Sequence, residues 1–171
     1  MQLTIILLRL IHIVLGAIWV GTVVFIALFV EPSARALGVA GGQLMAELGR
    51  RKFHVWMSAF GGLTVLSGII LIGWDSDWFR SAWLKTPQST VFQLGGAFAI
   101  LAMIVGVAVS RPTVTKLGAL MPKAAQMPAG PERDALQAEA MRLSARLTVA
   151  GRAVAVLVLL AVACMAAARY V

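Results

Sequence analysis

The sequence predicts an all-α, polytopic membrane protein: one domain over residues 1–171, built as a four-transmembrane-helix bundle. Three observations predict it. The chain is 60% hydrophobic and only 13% charged, too little charge to cover a soluble domain of this size. Its apolar residues cluster: residues 10–30, 53–74 and 91–110 carry no charge, and residues 147–171 carry only Arg152 and Arg169. Each run is near the ~20 residues that a helix needs to cross ~30 Å of hydrocarbon, and a helix satisfies its own backbone in lipid. The basic residues are also unevenly shared among the loops, as membrane insertion requires.

The expected helices run over about residues 3–30, 53–74, 90–110 and 131–170. The first does not read as a cleaved signal peptide. It is too long, has no basic leader, and is followed by Glu31-Pro32 rather than a small-residue cleavage motif. Pro32 is expected to end it. Residues 33–52 mix Leu37, Leu44, Met45 and Leu48 with small and basic residues, which suits a short helix lying on the membrane face. The second helix is thinned by Gly61, Gly62 and Gly68. The loop after it, residues 75–88, gathers Trp74, Trp78, Phe79 and Trp83 as an interfacial aromatic belt would and has room for one short turn. Pro112 is expected to end the third helix, and Pro122, Pro128 and Pro131 to break the chain beyond it. Pro131-Glu132 then opens a fourth helix, because proline suits the first turn and an acid suits its positive end. With no breaker up to Val171, that helix would run about 60 Å, from outside the bilayer straight through it.

Orientation follows from charge. The first loop holds Arg35, Arg50, Arg51 and Lys52; the third region holds Arg111, Lys116, Lys123, Arg133, Arg142 and Arg146. The second loop holds only Arg80 and Lys85, offset by Asp75 and Asp77. Loops one and three are therefore expected inside, with both termini outside. The net charge of +8 is accounted for by these loops and does not call for nucleic acid. The bilayer is the expected partner, together with a second copy or a membrane-complex subunit wherever small residues invite close packing: Ala17 and Gly21, or Ala102, Gly106 and Ser110.

An internal repeat is legible at an offset of 80. Glu31-Pro32 followed by Leu37-Gly38 matches Arg111-Pro112 followed by Leu117-Gly118, and Gly16-Ala17 matches Gly96-Ala97. Two helical hairpins related by an axis along the membrane normal would produce this, and so would coincidence among apolar residues.

One stripe carries the candidate chemistry. At 100° per residue, Arg9, His12, Gly16 and Trp19 fall on one helix face. An imidazole inside a membrane is costly and is a functional candidate by default. It could ligate copper or a haem b iron, with Gly16 leaving room for a flat ring, Trp19 stacking on it and Arg9 pairing with a propionate. The alternative is an interhelical hydrogen bond with ordinary packing around it. Met165, beside Cys164 near the outer end of the fourth helix, is the candidate second metal ligand, or else packing filler. His54, after Arg50-Arg51-Lys52, belongs to the opposite surface, ~20–25 Å away along the normal, so one ion cannot take both histidines. All seven acids fall outside the four apolar runs, which argues against a proton-relay transporter. A lone Cys164 excludes an internal disulfide, and no hydrolase constellation or phosphate-cradling loop occurs.

The opening segment Arg9-x2-His12-x6-Trp19-x-Gly21 resembles that of small bacterial inner-membrane proteins of the copper-resistance D (CopD-like) kind. The ending Met165-Ala-Ala-Ala-Arg-Tyr170 suits the same group. The resemblance implies a copper-handling or haem-binding module centred on His12. The opening helix is also similar to that of HemJ-type protoporphyrinogen oxidases. That resemblance implies a redox enzyme acting on a porphyrinogen, with the matching histidine on haem b beside a lysine of a later helix; residues 91–110 here hold no lysine. Dihaem b-type cytochromes need four histidines, and this chain has two. A third class is a non-catalytic structural subunit of a larger membrane complex.

Overall fold

The computed structural model describes residues 2–80 and 82–171, and among them there are helices, turns and no strands. The long elements are α1 (Gln2–Phe25), α4 (Phe53–Asp75), α5 (Pro87–Val105) and α7 (Pro131–Ala167), with α2 (Glu31–Ala36), α3 (Val39–Arg50) and α6 (Arg111–Gln126) on the side of the basic loops. Four continuous helical spans among the described residues are long and apolar enough to cross a membrane. The chain is thus built as a multi-pass membrane protein.

Its burial pattern says the same. Leu28, Phe29, Ile13, Val149 and Val156 are more than half exposed, whereas the buried positions are mostly small: Ala99, Ala102, Ala150, Ala155 and Ala161. Lipid is as apolar as leucine, so helices associate here by close backbone approach rather than by hiding large side chains. The core is a single cluster of Trp19, Val65, Ala99, Ala102, Val154, Val158 and Ala161.

Two prolines correct the sequence reading. Neither Pro32 nor Pro112 ends its helix. α1 passes through a π-helical turn, Ile26–Val30, into α2; α5 passes through another, Gly106–Ser110, into α6. In each case the residue before the proline donates its N–H five residues back, Glu31 to Ile26 and Arg111 to Gly106. The wider turn re-phases the carbonyls just where a proline lacks its N–H and would otherwise clash with the preceding turn. Pro122 likewise lies inside α6, not in a loop. The two π-turns stand 80 residues apart, the offset of the repeat, so the repeated Pro is accompanied by a repeated backbone feature.

The remaining boundaries follow local chemistry. The α2–α3 turn uses Gly38 at φ +54°, and Gly41 packs directly on the Ala34 backbone. On α3, Glu47 pairs with Arg50 and with Arg51, the latter at 2.9 Å; the Arg51 hydrogen bond holds the Glu47 carboxyl below the usual carboxylate range. α5 begins with Thr86, whose hydroxyl accepts from the Ser89 N–H, followed by Pro87. α7 begins with Pro131 and carries Glu132 and Asp134 in its first turn. It spans 37 residues, about 55 Å, close to the expected length.

α1 packs chiefly on α4, and α5 chiefly on α7, giving two hairpins. The loop between them holds a 3-10 turn at Ala82–Lys85, as the sequence allowed. Just before it, Asp77, Trp78 and Phe79 all take positive φ, with the Trp78 and Phe79 rings folded back against Gly73. Buried Ser76 closes this left-handed turn by accepting the Phe79 N–H at 2.9 Å.

Candidate functional site

α1 and α4 meet along an antiparallel seam, and the His12 stripe is that seam. His12 lies against Gly68, Gly16 against Thr64 and Trp19 against Gly61. Steps of four and then three residues along α1 are matched by four and then three back along α4. This is the spacing of a knobs-into-holes contact between antiparallel helices.

Each α4 position is shaped to its partner. A Cβ at Gly68 would stand 2.8 Å from His12 Cε1, and one at Gly61 would stand 2.7 Å from Trp19 Cε2. Only glycine lets either ring lie there. Trp19 is 5% exposed and belongs to the core cluster. A Cβ at Gly16 would come within 3.3 Å of the Thr64 methyl, so α4 fills the space beside it.

His12 Nδ1 lies 2.8 Å from the Thr64 carbonyl oxygen and 3.2 Å from Ser67 Oγ. A carbonyl only accepts, so Nδ1 carries the proton and donates it. Ser67 is turned to receive a share of it, because its own hydroxyl donates to the Leu63 carbonyl at 2.7 Å or that of Thr64 at 3.0 Å. Donation from Nδ1 selects the tautomer whose lone pair lies on Nε2, and among the described residues no hydrogen bond reaches that atom. A histidine whose Nδ1–H is held by a backbone carbonyl is oriented for ligation through Nε2.

One turn further out, Arg9 reaches Asp75 of α4 at 3.6 Å. Both side chains are about half exposed, so the pair adds at most ~1 kcal/mol. It does, however, give Arg9 a protein partner.

The other predicted residues lie elsewhere. Cys164 and Met165 pack on α5, where a Cβ at Gly95 would meet Cys164 Cβ at 3.1 Å and Met165 Cγ at 3.3 Å. That contact belongs to the second hairpin, whereas the His12 ring lies on the first. His54 sits fourteen residues before Gly68 on the same helix, hence about 21 Å from the His12 level. Its Nδ1 is buried without a hydrogen-bond partner among the described residues. No group of three or more His, Cys, Asp or Glu side chains capable of holding a metal occurs among them.

The seam fits one kind of cofactor better than another. Nε2 is available as a single imidazole ligand for a metal ion. A haem slot beside His12 is not formed, because Thr64 fills the space facing Gly16 and Trp19 is spent on Gly61. α5 and its π-turn also carry no lysine.

A second polar node escaped sequence reasoning. Glu31, placed outside the membrane by the proline reading, stays in the continuous first span and faces α7. Its carboxylate accepts from the Thr148 hydroxyl and from the Arg35 guanidinium, which also donates to Thr148. Gly151 leaves room beside it, with the Glu31 Oε2 3.8 Å from the position of a Cβ. Glu31 and Arg35 stand four apart on one helix face, so half of this node was readable; Thr148 was not. No protein-family model, curated protein or solved structure matches this chain.

Proposed function

We propose that the chain is a CopD-like module of a bacterial inner membrane that offers His12 Nε2 as a copper ligand near the outer face. One observation supports this reading above the others: the Thr64 carbonyl locks the Nδ1–H and leaves Nε2 free. Copper is preferred to haem because α4 occupies the space that a macrocycle would need. A single imidazole holds copper weakly, so the remaining ligands come from the copper donor or from a partner protein, with soft sulfur the best match for Cu(I). A second reading, a non-catalytic structural subunit, is favoured by the fact that every residue of the stripe also has an α4 partner.

The test separates packing from ligation. In His12→Asn the amide nitrogen replaces Nδ1 as donor to Thr64, but no atom replaces Nε2. Purified after growth with haem precursors and titrated with Cu(I) in the presence of a thioether co-ligand, the wild type is expected to bind copper and to show no Soret band. His12→Asn should lose the copper while keeping its melting temperature within a few degrees, and His54→Ala should retain the copper. Equal loss in both histidine variants would place the site elsewhere. Copper-free wild type would favour the structural subunit, and a Soret band lost with His12→Asn would favour the haem enzyme.

Orientation is part of this proposal. The basic loops are placed in the cytoplasm and both termini outside. A reporter active only in the cytoplasm should be silent after Val171 and active when inserted at residues 127–130. The reverse pattern would move His12 to the inner surface.

A further inference from the structure

We propose that the groove between the third and fourth membrane helices, on the side of the basic loops, is a binding site for an anionic phospholipid. The groove measures about 490 Å³ and is open rather than enclosed. Val105 of α5 and Val109 of its π-turn form one wall; Ala145, Val149 and Ala153 of α7 form the other, with Arg146 at one end. It exists because α7 presents small residues here and because the π-turn re-phases the helix opposite.

Polarity runs along the groove. Arg146 is the last charge of α7 before the apolar run that begins at Leu147, in which Arg152 is the next charge and does not line the groove, so Arg146 marks its shallow end. Ala153, seven residues on, lies about 10 Å deeper. This arrangement suits a lipid: the stem of Arg146 lines the shallow end and leaves its charge at headgroup level, and an apolar wall continues into the same leaflet.

Charge complementarity selects the headgroup. Among the described residues, the ion pairs use Glu31, Glu47 and Asp75 only, and no carboxylate meets Arg146. No acid lies within one turn of it along α7, where its neighbour four residues back is Arg142. Arg111 and Lys116 line a second open groove, of about 480 Å³, next to Pro112, so the cationic surface continues around the helices. A phosphodiester with net negative charge neutralises Arg146; a zwitterionic headgroup brings its own cation and does so less well. A juxtamembrane arginine of this kind favours the anionic lipid about fivefold. The site depends on the basic side facing headgroups of either leaflet, and not on His12 or its metal.

Native mass spectrometry of the purified full chain tests this. The chain is titrated with phosphatidylglycerol and, separately, with phosphatidylcholine of the same acyl chains. The wild type should retain about fivefold more phosphatidylglycerol. Arg146→Ala should bring that down to the phosphatidylcholine level, while Arg142→Ala, outside the groove, should preserve the preference. Ala153→Trp, which fills the deep end, should reduce retention of both lipids; Val109→Phe does the same from the opposite wall if the tryptophan variant does not fold. An undiminished preference in Arg146→Ala, an equal loss in Arg142→Ala, or full retention in a folded groove-filling variant would each overturn the proposal.

Discussion

Gly61→Leu is expected to destabilise the protein by about 3 kcal/mol, the upper end of the cost of overpacking. A Cβ alone would stand 2.7 Å from Trp19 Cε2, and leucine adds three more carbons in the same direction. The obstacle is a rigid indole, 5% exposed and held in the core cluster, so it cannot swing aside as a flexible chain end could. Nor does the membrane offset the clash, because a leucine buried from lipid gains little that lipid had not already supplied. Gly62→Leu is the matched control. Nothing lies within 4 Å of its Cβ position, and replacing a mid-helix glycine there should be neutral or stabilising by up to ~1 kcal/mol. The double variant Trp19→Ala/Gly61→Leu should be less destabilised than the sum of its parts, because the alanine vacates the space that the leucine enters. Thermal or denaturant unfolding in detergent reads the wild type, the three single variants (Trp19→Ala included) and the double variant. Equal behaviour of the Gly61 and Gly62 variants would mean that α1 and α4 do not meet in this register.

Glu31→Ala is expected to cost about 1.5 kcal/mol, the lower end for a hydrogen bond to a charged group, because the freed Thr148 hydroxyl still donates to the Ser144 carbonyl at 3.0 Å. Most of that belongs to the Thr148 bond. Arg35 is half exposed, so its ion pair with Glu31 is screened and adds little, and once freed the guanidinium turns to water. Thr148 is buried, and its bond with Glu31 ties the first membrane span to α7. Glu31→Gln should cost only about half as much, because an amide oxygen still accepts from the threonine without the charge. Thr148→Val keeps the shape and removes the hydroxyl; combined with Glu31→Ala it should add little further loss. Full additivity of the two would show that they do not interact.

The number and order of the membrane helices were written in the sequence because the bilayer imposes its rule locally. An apolar run of sufficient length must be a helix, whatever its neighbours are. The face shared by Arg9, His12, Gly16 and Trp19 was equally legible, since 100° per residue is a property of one helix. The glycines that receive this face are spaced on α4 in the same manner, but pairing them with it requires the register between two helices. No local pattern carries that register. For this reason only the tertiary structure placed Asp75 beside Arg9, Thr64 beside His12 and Gly95 beside Met165. It alone decided the fate of Pro32 and Pro112 as well. A proline reads locally as a stop; here a π-turn ahead of each absorbs the missing N–H, and packing of the continued helix on its neighbours keeps that turn in place. The same continuation carried Glu31 to Thr148, a contact across 117 residues that exists only once two hairpins have docked.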